Sequence, residues 1–331
     1  MTDLPVITTS ERSTFKRCPQ KWWWKYRDGY VPKGDTVDAL WFGIGVHIAL
    51  AEWYHKGYRR GQHPAKTFAE WAGEEGREIR AQHAEHETEW YDEPKWLDAV
   101  ELGTDMLEGY VDKYGKDRDW QVIAIEQQFK VRVIRQNEAI AWFMSTFDGV
   151  FRSKYDGRVY LMEHKTASHI DLAYLELDDQ AGAYWAVATA VLRGMKVLRP
   201  DETIAGIEYN FLRKAQHDPR EQNEDGLYLN QNGEVSKRQS PARFVRETVE
   251  RRPSEMQNQM NRLADEVTMM NMIRAGQVPL LKHTQKDCAR FCEFFDMCRL
   301  HEHGTNNWLE LAKALYNQFN PYERYQKSAQ E

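Results

Sequence analysis

Asp148 closes the run Phe147-Asp148-Gly149-Val150, and Glu163 and Lys165 stand two residues apart in Leu161-Met162-Glu163-His164-Lys165-Thr166. Side chains at i and i+2 of a strand leave the same face, so Glu163 and Lys165 project together, while Asp148 sits where the neighbouring strand ends. Two carboxylates with a carbonyl make a hard oxygen site for Mg²⁺ or Mn²⁺, and an adjacent ammonium can hold a scissile phosphate or orient water. Phosphodiester hydrolysis needs that set. A salt-bridged, exposed strand face carries the same three residue types, so their company decides. Gln180 and Tyr184, at i and i+4, share a face of the helix after the strand, and His47 falls in the apolar helix Gly43-Ile44-Gly45-Val46-His47. Singly, these read as a helix surface pair and a hydrogen-bonded core histidine. Glu126, in the first strand region, is either a helper or an ordinary strand carboxylate, and the sequence favours the latter.

The four cysteines are the second chemical feature: Cys18 in Phe15-Lys16-Arg17-Cys18-Pro19, then Cys288-x3-Cys292-x5-Cys298. They are too few and too clustered for a secreted disulfide framework. Four thiolates suffice for a cubane iron-sulfur cluster. Structural zinc, or four unrelated buried thiols, are the alternatives, although structural zinc usually shows two short Cys pairs. Linking positions 18 and 288 closes about 270 residues, worth roughly 5 kcal/mol in the chain-entropy account. The group would act as a staple.

These residues need elements to position them. Thr8 to Tyr30 predicts two short helices meeting at Pro19, and Val37 to Arg60 a buried helix with Gly43 and Gly45 as close-packing points. Covering helices follow over Pro64 to about Glu87 and Pro94 to about Lys116. Period two from Trp120 to Ile134, from Ala139 to Phe151 and from Gly157 to Lys165 predicts an antiparallel meander. A helix over Asp178 to Arg193 and a strand over Thr203 to Arg213 come next. His217 to Ser240 is rich in Asp, Glu, Gln, Asn and Gly with few apolar residues and reads as a mobile insertion. Pro241 to Gly276 reads as helix, and a last helix lies around Trp308 to Tyr316. No internal repeat is found.

Composition narrows the class. With 331 residues, 45 Lys+Arg against 51 Asp+Glu and a net charge of −6, the chain is globular and lacks a uniformly basic coat. A local basic groove stays open: Lys16, Arg17, Lys21, Lys25 and Arg27 interleave with aromatics, and Arg213-Lys214, Lys237-Arg238, Arg243 and Arg246 form later groups. Solvated helix faces explain them equally well. The 12 tryptophans, including Trp22-Trp23-Trp24, suggest an aromatic core or stacking platforms. No apolar run approaches a membrane span and no signal-peptide layout opens the chain, which predicts a cytoplasmic protein. There is no Gly-x4-Gly-Lys-Ser/Thr loop, His-Glu-x-x-His or Gly-x-Ser-x-Gly, so no ATP-driven motor is encoded; Gly43-Ile44-Gly45 lacks the third glycine of a dinucleotide site.

Taken together, these motifs resemble the PD-(D/E)XK nuclease superfamily, in particular its RecB-like branch of iron-sulfur nucleases of CRISPR adaptation and phage recombination, over most of the chain. The resemblance implies that His47 of a Gly-x-x-x-His motif, Asp148 and Glu163 bind the metal, that Lys165 is the motif lysine, and that Gln180 and Tyr184 of a Gln-x-x-x-Tyr motif contact DNA or support the site. It further implies that Cys18, Cys288, Cys292 and Cys298 hold a 4Fe-4S cluster, here with three residues between the first pair where the family commonly has two. The expected fold is α/β: a central mixed sheet flanked by helices, a restriction-endonuclease-like core whose helical N- and C-terminal parts are joined by the cluster. Expected domains are a helical part over 1–118, the nuclease core over 119–216, the polar insertion over 217–240 and a helical part over 241–331. The expected function is a Mg²⁺- or Mn²⁺-dependent DNA exonuclease acting on single strands or DNA ends, in the host cytoplasm if phage-encoded. Its partners would be DNA and a recombinase, helicase or integrase. The alternatives are a non-catalytic DNA-binding scaffold on the same fold, or an adaptation nuclease trimming DNA with an integrase.

Overall fold

A computed structural model describes residues 4–33, 39–304 and 307–322, without the side chain of Leu311. In chain order these form β1 (Val6–Thr8), α1 (Thr9–Arg17), α2 (Pro19–Trp22), β2 (Tyr30–Pro32), α3 (Ala39–Trp53), α4 (Pro64–Glu85), α5 (Glu93–Tyr114), β3 (Trp120–Arg135), β4 (Glu138–Ser153) and β5 (Val159–Ala167). Then come α6 (Asp179–Gly194), β6 (Ile204–Arg213), β7 (Phe244–Glu250), α7 (Pro253–Arg274), α8 (Cys288–Phe291), α9 (Phe295–Glu302), α10 (Trp308–Leu315) and β8 (Tyr316–Gln318). The expected helix start at Val37 and Asp38 lies outside the described residues. Two compact units share the chain: Met1–Gly34, Gln128–Thr146 and Ser254–Glu331 make one, and Asp35–Gln127 and Phe147–Pro253 the other.

The second unit is a mixed sheet flanked by helices, the α/β class expected. Its β4 and β5 pair antiparallel, β5 and β6 parallel, and β6 and β7 antiparallel. A parallel pair needs a crossover, and α6 supplies it. Val159 to His164 of β5 are buried without a break, as in a strand covered on both faces. On one face α3, α4 and α5 deliver Phe42, Val46, Leu50, Phe68, Met106, Leu107 and Tyr110 against Val122, Phe151, Met162 and Leu212. Large apolar side chains fully buried like these stabilise by roughly 1.5–3 kcal/mol each. On the other face α6 is tied to the start of β6, because Trp185 Nε1 donates to the Ile204 carbonyl at 3.0 Å and the Ile204 N–H donates to Thr189 Oγ1 at 3.0 Å.

The stretch from Pro241 was expected to be helical throughout, and its first part is instead β7, paired with β6 from Gly206↔Glu250 to Leu212↔Phe244. Phe244-Val245-Arg246-Glu247-Thr248-Val249-Glu250 alternates and is rich in β-branched residues; the helix begins only at Pro253, a favoured first-turn position. The polar segment 217–240 contains two short hairpins, bridged at Gln222↔Tyr228 and Leu229↔Val235. Each is closed by an asparagine: Asn223 Oδ1 accepts from the Asp225 and Leu227 N–H groups, and Asn230 Oδ1 from those of Asn232 and Glu234.

In the first unit, β1 pairs parallel with the first half of β4, Val6 opposite Trp142, and β3 turns into β4 through Gln136 and Asn137, both at positive φ. That is the conformation of a two-residue type I′ hairpin loop. Strands β2 and β8 pair antiparallel, Tyr30 opposite Gln318. The N-terminal strands and β8 escaped the sequence reading because three residues are too few to show a period. Glu11 is fully buried yet saturated, accepting from Trp22 Nε1 at 2.9 Å, Arg274 Nη2 at 2.9 Å and Tyr322 Oη at 2.7 Å.

Candidate active site

Helix α3 keeps Phe42, Gly45, Val46, Ala49, Leu50 and Trp53 buried in one stripe. Gly45 is obligatory for that seating: a Cβ there would lie 2.2 Å from the Trp71 ring and 2.7 Å from Phe68 of α4. His47 lies at the edge of the stripe, its Nδ1 3.3 Å from Asp148 Oδ1. Asp148 precedes Gly149, whose partner on β5 is Met162, so Asp148 and Glu163 meet across the two strands. Asp148 Oδ2 accepts the main-chain N–H of His164 at 2.8 Å.

Glu163 Oε1 accepts from Lys165 Nζ at 2.9 Å and from Gln180 Nε2 at 3.2 Å, and Gln180 Oε1 accepts from Lys165 at 3.3 Å. The closed triangle fixes all three side chains. Asp178, which the sequence reading passed over, secures it by capping α6: its Oδ1 accepts the Gln180 N–H at 2.9 Å and its Oδ2 lies 4.0 Å from Lys165 Nζ. An aspartate directly before an apolar helix was the available signal. Tyr184, one turn after Gln180, is buried with its ring edge-on to Phe147, 6.0 Å away.

Charge is unevenly distributed over the two carboxyls. Burial pushes Glu163 up to about 7, against the pull of Lys165 and with the push of Asp148. Burial would raise Asp148 too, but the charge and hydrogen bond of His47 and the proximity of His164 hold it below the carboxylate range. Burial alone would lower His47, yet Asp148, Glu126 and Glu163 raise it to about 9. Lys165 stays charged because Glu163 and Asp178 outweigh its burial.

Among the described residues, one triple of His, Cys, Asp or Glu ligand atoms lies mutually within 4.8 Å: His47, Glu126 and Asp148. An imidazole with two carboxylates suits Mg²⁺ or Mn²⁺ in its donor chemistry. Glu126 therefore stands nearer the site than the sequence reading allowed. It sits within β3 at a φ of +46, a left-handed conformation costly for a residue with a Cβ. Glu163 lies outside this triple, held by Lys165 and Gln180. The predicted residues His47, Asp148, Glu163, Lys165 and Gln180 thus converge in one unit of the chain.

The cysteines gather within the other unit. Cys18 links α1 to α2, Cys288 opens α8, and Cys292 and Cys298 pack half-buried against the Trp24, Tyr30, Phe294, Met297, Ala312 and Tyr316 cluster. None is in a disulfide, and the Gln285 N–H donates to Cys288 Sγ at 3.3 Å. Burial pushes the Cys292 and Cys298 thiols up, and Cys298 feels both Cys18 and Cys288. Several basic residues considered for nucleic acid have internal partners: Arg17 on Asp287, Lys21 and Lys25 on Glu293, Arg243 on Asp105 and Arg246 on Asp117.

No described helix is long and apolar enough to cross a membrane. A search of curated proteins returns no match. The family comparison is informative: an acid on one strand opposite an acid-x-lysine on the next is the arrangement for which one large group of nucleases is named, and that group's model matches residues 6–299. The chain belongs to the PD-(D/E)XK nuclease superfamily.

Proposed function

We propose that this nuclease is a Mg²⁺- or Mn²⁺-dependent DNA exonuclease that removes nucleotides from single strands or DNA ends, in prokaryotic or phage recombination or repair. The observation that carries the reading is the triple of the His47 imidazole with the Glu126 and Asp148 carboxylates, set beside the Glu163–Lys165–Gln180 triangle. When bound, a divalent ion supplies charge to the scissile phosphate and eases deprotonation of water. Asp148, His47 and Glu163, with Glu126, would hold it. Lys165 keeps its proton and directs Nζ toward the reacting phosphate or water, while Gln180 and Asp178 fix its direction. Tyr184 supports this wall from within the core.

The four free cysteines supply the four thiolates that a 4Fe-4S cluster takes. Bound there, the cluster would be structural, with every ligand a protein thiolate. The expected domain division and the cytoplasmic setting belong to the same proposal.

The test is Mn²⁺-dependent cleavage of end-labelled single- and double-stranded DNA, against closed circles, by anaerobically purified protein, with absorbance recorded near about 400 nm. Cleavage of linear DNA that is lost in Lys165→Ala and Asp148→Ala, with the chromophore kept, is the expected result. A folded, chromophore-bearing wild type that binds DNA without cutting it overturns the reading in favour of a scaffold. Cutting of closed circles overturns the exonuclease mode, and co-purification with an integrase favours an adaptation role.

A further inference from the structure

Behind the candidate site, three neighbouring strands carry polar side chains in one row. His164 of β5 pairs with Asn210 of β6, which pairs with Arg246 of β7. By strand alternation this row lies on the face opposite Glu163 and Lys165. Tyr54, Tyr110 and Asp117 complete it, and Asn210, Tyr110, Tyr54, His164 and Asp117 are all buried.

Every proton in the row is fixed by a donor that has no choice. Arg246 has no acceptor atom, so the Asn210 atom 3.2 Å from its Nε is the carbonyl oxygen. The Asn210 amide nitrogen then faces Tyr110 Oη at 3.1 Å and His164 Nδ1 at 2.8 Å, and has one hydrogen for each. Arg246 also donates to both Asp117 oxygens, at 2.9 and 2.6 Å, and to Tyr110 Oη at 2.9 Å. Tyr54 Oη donates to Asp117 Oδ2 at 2.6 Å, which leaves Tyr110 to donate to Tyr54 at 2.6 Å. His164 Nδ1 is therefore an acceptor, and the ring proton resides on Nε2. The ring is also stacked on Tyr54, centroids 6.0 Å apart and planes 13° from parallel.

The main chain of this clamped residue supplies the N–H that holds Asp148 Oδ2. We propose that Arg246 and Asn210 are positioning residues for Asp148: acting through His164, they fix its ring and hence the main-chain N–H that orients the carboxylate toward a divalent ion. The proposal rests on the reading of Asp148 as a metal ligand. Groups that orient metal ligands from behind typically change metal affinity 10–100-fold when lost.

The test uses the full chain labelled with ¹⁵N-histidine, the His164 resonance being assigned by its disappearance in His164→Gln. Metal-free wild type is expected to show His164 Nδ1 unprotonated and Nε2 protonated. Asn210→Leu removes the donor at similar volume: Mn²⁺ affinity is expected to fall about 10–100-fold and kcat with it, while metal-free DNA affinity is unchanged. If that variant does not fold, Arg246→Lys keeps a cation on Asp117 but loses the Nε donor, and an affinity loss with mixed His164 tautomers is expected. A proton on Nδ1 in wild type, or wild-type Mn²⁺ affinity in a folded variant, overturns the proposal. Wild type that binds no Mn²⁺ overturns the metal-site reading beneath it, a separate failure because the ring proton is read without metal.

Discussion

Lys165 Nζ stands 2.9 Å from Oε1 of Glu163, its neighbour but one on the same strand face. The ammonium has two roles: it holds down the pKa of a carboxyl that burial drives upward, and on the proposed reading it serves the scissile phosphate.

Lys165→Ala is expected to remove both effects. Steady-state cleavage should fall about 10²–10³-fold in kcat, the magnitude associated with losing one preorganised charged donor. Because Glu163 then loses its lowering partner, Mn²⁺ affinity should fall as well, whereas Lys165→Arg should retain metal affinity with only partial cleavage. Titration calorimetry beside kinetics separates the two; unchanged metal affinity in Lys165→Ala would show that the ammonium does not control Glu163.

The pH dependence has a defined sign. His47 is raised from 6.5 to about 9 in the metal-free fold, so the folded state binds more protons than the unfolded chain between these values. Its contribution to stability is complete below about 6.5 and is lost as pH rises through about 9. Glu163, raised from 4.5 to about 7, acts with the same sign at lower pH, and His164, lowered by burial to about 3, with the opposite sign below about 6.5. Above about 7 His47 therefore acts alone among the three. Metal-free Tm should fall between about pH 7 and 9, and the Tm increment from Mn²⁺ should grow, since ligation needs the deprotonated imidazole. A pH-independent increment refutes His47 as a ligand.

Glu126 gives an opposition of effects. Its φ of +46 suits glycine, so Glu126→Gly should raise metal-free stability by about 1 kcal/mol while weakening Mn²⁺ binding. Glu126→Gln should weaken binding without the gain. Chemical denaturation with and without Mn²⁺ measures both, and equal metal affinity in all three proteins removes Glu126 from the site.

Cys18→Ser should abolish the brown chromophore and iron content and lower the unfolding midpoint, with a loss of up to roughly 5 kcal/mol if the closed loop is released. Zinc in place of iron in anaerobically purified wild type would reject the cluster.

The meander, the α6 crossover and the Glu163–Lys165 pair were legible because each is written in local periodicity. Gln180 was legible for the same reason, being the second residue of the next helix after the strand. Strand β7 was not, since its charged, exposed residues blend into the polar helix that follows. Asn210, Arg246, Asp117 and Tyr54 had no local signal at all: they meet only through the register of three strands and the return of α3 and α5. Glu126 was undervalued because a left-handed residue inside a strand depends on its tertiary surroundings.

The interleaving of the two units has a consequence for synthesis. Val6 waits for Trp142, Arg12 for Glu266, and the Gln20 N–H for the Leu281 carbonyl. The unit bearing His47 and Lys165 draws no residue from beyond Pro253, whereas the cysteine-bearing unit includes Ser254 onward. A ribosome therefore releases the parts for the half bearing His47 and Lys165 first, while Cys18 remains without its fellow thiols until residues 288–298 have been made. Iron delivery, on the proposed reading, comes after translation of Cys298. For the same reason a protease nick or early stop in α7 would leave a translated nuclease motif beside an N-terminal segment that has lost its later partners.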